Sequence, residues 1–170
     1  MDEQAPWAQQ QADIQALGDD DLRRALELLF FAYRDFTGEA DAILADFDMG
    51  RAHHRAIYFI GANSGISVSE LLAILKITKQ SLNRVLSTLI DEGYVVQETD
   101  DGDRRRRLMH LTPKGRELEL LLTHRQSDHI ARAYRDAGPD AVDGFRRVLF
   151  SLINEADRHR VSAPGGPARA

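Results

Sequence analysis

The chain has 170 residues, 43% of them hydrophobic and 29% charged, with 22 Lys and Arg against 27 Asp and Glu for a net charge of −5. That length and balance predict one soluble globular domain, or one domain with an oligomerisation arm, and the absence of cysteine excludes disulfides, thiol nucleophiles and thiolate metal sites. No apolar run approaches the roughly 18 residues that span a bilayer, and MDEQAPWAQQQADIQ lacks the basic-then-apolar order of a secretion signal, so a cytoplasmic protein with no membrane partner is expected.

Residues 1–18 mix Gln, Ala, Asp and Pro and predict a flexible arm. From 19 to 37, Leu22, Leu26, Leu29, Tyr33 and Phe36 recur at steps of four and three, one apolar stripe on a helix. The Asp run before it suits the positive end of the helix dipole. Gly38 is expected to interrupt this helix, with a short helical piece following around Ala42 to Phe47. RAHHRAIYFIG reads as a second helix ending at Gly61.

Ser67 or Ser69 can cap SVSELLAILK, and Thr78 can cap TKQSLNRVLSTLIDEG, which stops at Gly93. In the latter, Leu82, Val85, Leu86, Leu89 and Ile90 form the predicted buried face, leaving Lys79, Gln80, Ser81, Asn83, Arg84 and Ser87 outward. The period then changes. YVVQET and RRLMHLT are short strand-like runs joined by DDGDR, which is hairpin chemistry. Thr112 followed by Pro113 is a strong helix start, and a long helix runs from there to Gly138. Another follows Pro139, with Val142, Phe145, Leu149, Leu152 and Ala156 on one stripe. The Pro/Gly-rich tail 161–170 is expected to be disordered.

Helix, helix, helix–turn–helix, hairpin, long helix, long helix is a mainly α fold with a small β-hairpin wing. Residues 50–112 are the expected winged helix-turn-helix core. Residues 19–48 and 113–160 are the expected long N- and C-terminal dimerisation helices. Their stripes are broader than the small core can cover, so Leu22, Leu26, Leu29, Phe30 and Tyr33, with Phe145, Leu149 and Leu152, are expected to bury against a second copy.

The charge is unevenly placed. Between Lys76 and Arg116 nine cationic side chains face six anionic ones, so the rest of the chain carries an excess of eight negatives. A basic face on an acidic body suits docking on DNA through one surface. The major groove admits a helix whose N-terminal residues reach base edges. Lys79, Gln80, Ser81, Asn83 and Arg84 are therefore the candidate base and phosphate contacts, against the plainer reading of a polar helix face.

Three segments resemble the MarR family of bacterial transcription regulators. GISVSELLAILKITKQSLNRVLSTLIDEGYV is similar to its helix-turn-helix and recognition helix, DRRRRLMHLTPKG to its wing signature, and the flanking helices fall where the family has its dimerisation arms. GRAHHRAIYFIG resembles the family's PetP-type branch. The likeness implies that Arg105 enters the minor groove, that Asp103 braces the Arg105 guanidinium, and that Arg104 and Arg106 contact phosphate. It also implies a homodimer on a pseudo-palindromic operator, possible control by a small-molecule effector, and His53 or His54 lining an effector crevice.

This sequence departs from the pattern at Lys76, where the family often has Gly, at Leu72, where a small Ala is usual, and at Arg107, in place of an apolar strand residue. No metal site is expected, since His124 and His129 are five apart and share a helical face poorly. No catalytic motif is present, so neither an enzyme nor a cofactor is expected. The alternative is a winged-helix module that binds protein without direct DNA contact.

Overall fold

The computed structural model describes residues 18–164. Of the expected arm at 1–18 and tail at 161–170, residues 1–17 and 165–170 lie outside the described residues. The chain divides into two compact units, Met1–Glu119 and Leu120–Ala170.

In the first unit, α1 spans Asp19–Ala45 and α2 Arg51–Ala62. A two-residue strand β1, Ile66–Ser67, leads into α3, Val68–Leu75, and then α4, Lys79–Asp91. The hairpin strands are β2, Val95–Thr99, and β3, Arg107–Leu111. The long helix α5, Pro113–Ala137, begins in this unit and continues into the second.

One glycine behaves differently from expectation. α1 passes through Gly38 without a break. A lone glycine in a helix costs only about 1 kcal/mol relative to Ala, which the buried Thr37, Ala40 and Leu44 around it offset. α2 ends at Ala62, within one residue of the expected stop at Gly61, and a Cβ at Gly61 would meet the Leu111 side chain at 3.0 Å, so glycine there also serves close packing against β3.

The sheet has three antiparallel strands in the order β1-β3-β2. Val95 pairs with Leu111 and Thr99 with Arg107, while Ile66 pairs with Met109. β1 is not foreseeable from periodicity, because two residues are too short for any period. Around this sheet α2 packs on α3, α4 and β3, and Ile57, Ile60, Leu71, Leu82, Leu89, Val95 and Met109 are fully buried.

In the second unit α6 spans Pro139–Leu152 and a short α7 spans Glu155–Arg158. The stripe expected to reach Ala156 is broken at Ile153, which is extended. Tyr134 and Phe145 meet edge to face at 6.1 Å. The Arg158 guanidinium lies over Phe150 and bonds the carbonyls of Ser151 and Ile153, closing off the end of α6. Among the described residues no helix is long and apolar enough to cross a membrane.

Candidate nucleic-acid interface

α3, a three-residue turn and α4 form the helix-turn-helix, and each end is fixed by a specific cap. Ser67 caps α3, with its Oγ accepting from the Glu70 N–H at 3.3 Å. Glu70 closes the box by accepting the Ser67 N–H at 2.9 Å. α3 ends in the left-handed residue Lys76, φ 50° and ψ 40°, whose N–H bonds the Leu72 carbonyl at 2.9 Å. The position where sequence likeness expects glycine therefore does adopt the conformation glycine favours, with lysine in it.

Thr78 starts α4: its Oγ1 accepts the Ser81 N–H at 3.1 Å and donates to Ser81 Oγ at 2.9 Å. Ser81 is thus half-committed to the cap, while its own hydroxyl proton stays available. Leu82, Val85, Leu86 and Leu89 are buried. Lys79, Gln80, Ser81, Asn83, Arg84 and Ser87 are all exposed. The helix divides cleanly into an anchored face and a presented one.

At the other end of α4, the Lys114 ammonium donates to the Glu92 carbonyl at 2.7 Å and sits 4.1 Å above the Tyr94 ring. This cation from the basic segment serves the helix terminus and the hairpin base. Thr112 Oγ1 donates to the Gly93 carbonyl at 2.7 Å and accepts the Gly115 N–H at 3.0 Å.

The wing tip holds its shape largely through acids bonded to backbone. Asp100 accepts the Gly102 N–H at 2.8 Å. Asp103 Oδ1 accepts the Arg105 N–H at 2.9 Å, so the brace grips the Arg105 backbone and not its guanidinium. The Arg106 N–H bonds the Asp103 carbonyl at 2.8 Å, and the Asp100 N–H bonds the Arg106 carbonyl at 3.1 Å.

The four arginines divide into two pairs. Arg104 and Arg105 are exposed, and their guanidinium groups make no hydrogen bond or ion pair among the described residues. Arg106 Nη2 donates to Glu70 Oε2 at 2.9 Å and its Nη1 lies 3.8 Å from Asp100. Arg107 donates to Thr99 Oγ1 across the hairpin. Glu70 is the residue that sequence reading missed, although S-V-S-E, a capping-box pattern, stands plainly in the chain. The Ser67 hydroxyl, the Ser67 N–H and then Arg106 hold its carboxyl at about 2, down from 4.5.

His53 and His54 lie at the start of α2. His53 Nδ1 accepts the Gly50 N–H at 3.1 Å, a capping role. Burial lowers the pKa of both imidazoles below 6.5. For His54 the nearby Asp41 and Glu119 oppose that shift and Arg55 reinforces it. No group of three or more His, Asp or Glu suited to a metal ion occurs among the described residues.

Of the expected apolar contacts, Leu22, Leu26, Leu29, Phe30 and Tyr33 on α1 are exposed, as are Phe145, Leu149 and Leu152 on α6. Leu28, Phe31 and Val148, not picked out from the sequence, are exposed with them. Tyr33 also accepts a hydrogen bond from Arg55 Nη2 at 2.6 Å.

Residues 47–106 match the model of the MarR family. The HTH-type transcriptional regulator PetP of Rhodobacter capsulatus is 51% identical over 142 residues, 84% of this chain and 86% of that one. Among solved structures, MarR aligns with a TM-score of 0.59 at 26% identity, over 81% of this chain and 98% of its own. FabT of Streptococcus pneumoniae, solved in complex with DNA, aligns with a TM-score of 0.71 at 21% identity, over 78% of this chain and 94% of its own.

Proposed function

The chain belongs to the MarR family of transcription regulators, and from that premise we propose that it binds double-stranded DNA sequence-specifically, as a homodimer on a pseudo-palindromic operator, in the cytoplasm. The observation that carries the reading is the presented face of α4. Lys79, Gln80, Asn83 and Arg84 stand exposed at the N-terminal half of a helix whose opposite face is buried. Gln and Asn offer the bidentate shape that suits adenine, and Arg the one that suits guanine. Ser81 and Lys79 suit phosphate, and the free Arg104 and Arg105 extend the cationic surface along the wing, with Arg105 aimed at the minor groove.

In this reading residues 50–112 form the DNA-reading domain, and 19–48 with 113–160 form the dimerisation region. Two-fold symmetry would bring two copies of α4 to successive major grooves, about 34–36 Å apart. An effector would act by favouring one separation of the two reading domains over another, since only a ligand with differential affinity shifts that equilibrium. Half-buried His53 and His54 are the candidates to line its site. The chain's relatives are regulators, and the reading assigns it no catalytic step and no cofactor.

Salt titration of duplex binding tests the proposal. Affinity should fall steeply with salt, and Arg105→Ala should reduce the slope of log K against log salt by about one unit. A wild-type chain indifferent to duplex at low salt would overturn it and favour a winged-helix module that binds protein.

A further inference from the structure

Arg106 lies one residue beyond the arginine assigned to the minor groove, in a run whose chemistry points to phosphate. Its side chain is committed elsewhere. Nη2 donates to Glu70 Oε2 at 2.9 Å, and Nη1 lies 3.8 Å from Asp100 at the end of the hairpin. The same Glu70 oxygen accepts both the Ser67 hydroxyl, at 2.5 Å, and the Ser67 N–H, at 2.9 Å. Glu70 is thus held in the first turn of α3 before Arg106 reaches it. The Arg106 backbone is fixed as well, through the Asp103 carbonyl and the Asp100 N–H. One residue therefore closes the wing turn with its main chain and ties that turn, with its side chain, to a helix 36 positions earlier.

We propose that Arg106 is a positioning residue, not a phosphate contact: through Glu70 it fixes the wing on α3, and so sets the separation between the Arg105 guanidinium and the base-reading face of α4. The inference rests on the DNA-binding reading above. An exposed ion pair contributes little to stability, and Arg106 and Glu70 side chains are 44% and 53% exposed. Orientation is another matter. A hairpin joined to the body by two strands can swing at its tip, and binding by a group in the wrong place is lost even when the fold is intact. The pairing also offsets one positive charge of the wing, and Arg104 and Arg105 are the two of its arginines whose guanidinium groups make no bond among the described residues.

Duplex binding across a salt series, with Arg106→Ala, Glu70→Gln and the double variant, tests this beside Arg105→Ala. Glu70→Gln removes the carboxylate charge that holds the Arg106 guanidinium but keeps an amide oxygen that can accept the Ser67 N–H, so α3 stays capped. Arg106→Ala should weaken binding roughly two- to fivefold with the wild-type salt slope and an unchanged melting temperature. In the Glu70→Gln background it should cost markedly less, because the two residues act as a unit. Amide exchange over Asp100–Arg106 should quicken in both single variants, without DNA present.

A slope reduced by about one unit in Arg106→Ala, or the same loss in both backgrounds, overturns the proposal. So does unchanged exchange at the wing tip. If wild-type chain ignores duplex while exchange quickens in both variants, the tether stands and the DNA-binding reading fails.

Discussion

Gly115 shows why the Leu-Thr-x-x-Gly ending of the wing takes the residues it does. A Cβ at this position would lie 2.0 Å from the Tyr94 carbonyl oxygen and 2.9 Å from its carbon, backbone atoms that no rotamer change can move aside. Thr112 is the other half of the device, bonding Gly93 and Tyr94 carbonyls while accepting the Gly115 N–H. Gly115→Ala should therefore destabilise the fold by about 3 kcal/mol, read as a lowered urea midpoint with an unchanged slope. Lys76 makes the opposite case. Its left-handed conformation is one that a Cβ disfavours by about 1 kcal/mol, so Lys76→Gly should raise the urea midpoint by that equivalent. Lys76 stood out in the sequence through its likeness to a family that often has glycine there; the close approach at Gly115 did not. The sequence could not disclose that Asp103 grips a backbone N–H or that Arg106 faces Glu70, since four consecutive arginines look alike until the turn that separates them is built.

At the scale of elements, α4 was legible almost to the residue: a threonine cap, a three-four apolar rhythm and a glycine after its end are all local signals. The break read at Gly38 failed because helix continuity there is decided by tertiary burial, and a single glycine is a weak opposing term. Thr78 is the lever on α4. Thr78→Ala removes the acceptor of the Ser81 N–H and should cost about 1 kcal/mol, with faster amide exchange confined to the first turn, where the proposed base contacts begin. α2 supplies a pH dependence. Burial depresses the pKa of His53 and His54 below 6.5, so between their folded and unfolded values the unfolded chain binds more protons than the folded one. Their stabilising share is complete above about pH 6.5 and is lost as pH falls through the folded values. Urea midpoints should decline from pH 7 towards pH 5, and His54→Gln should flatten the decline. An unchanged profile in that variant would remove His54 from the account.

For the whole molecule, the question is what covers the apolar side chains that each unit leaves in water. Leu26 is 70% exposed and Phe30 63% on α1, while Val148 and Leu152 are 60% and 65% exposed on α6. α6 has no buried residue at all despite its regular apolar stripe. Scattered exposed leucines need no explanation, but contiguous helical stripes of this kind mark an interaction surface. The proposed second copy accounts for them with no further partner, and the periodicity that revealed the stripes could not by itself distinguish packing within one chain from packing between two. Leu26→Glu discriminates the two. In a lone chain the position already faces solvent, so helicity and melting should barely move. In a homodimer a charge would be buried in an apolar interface, and sedimentation should report a monomer at concentrations where the wild type is dimeric. Duplex affinity should then fall by roughly a hundredfold or more, because two reading heads that bind together gain from effective concentration what one head alone cannot. A variant that remains dimeric and binds as tightly as wild type would place the interface elsewhere.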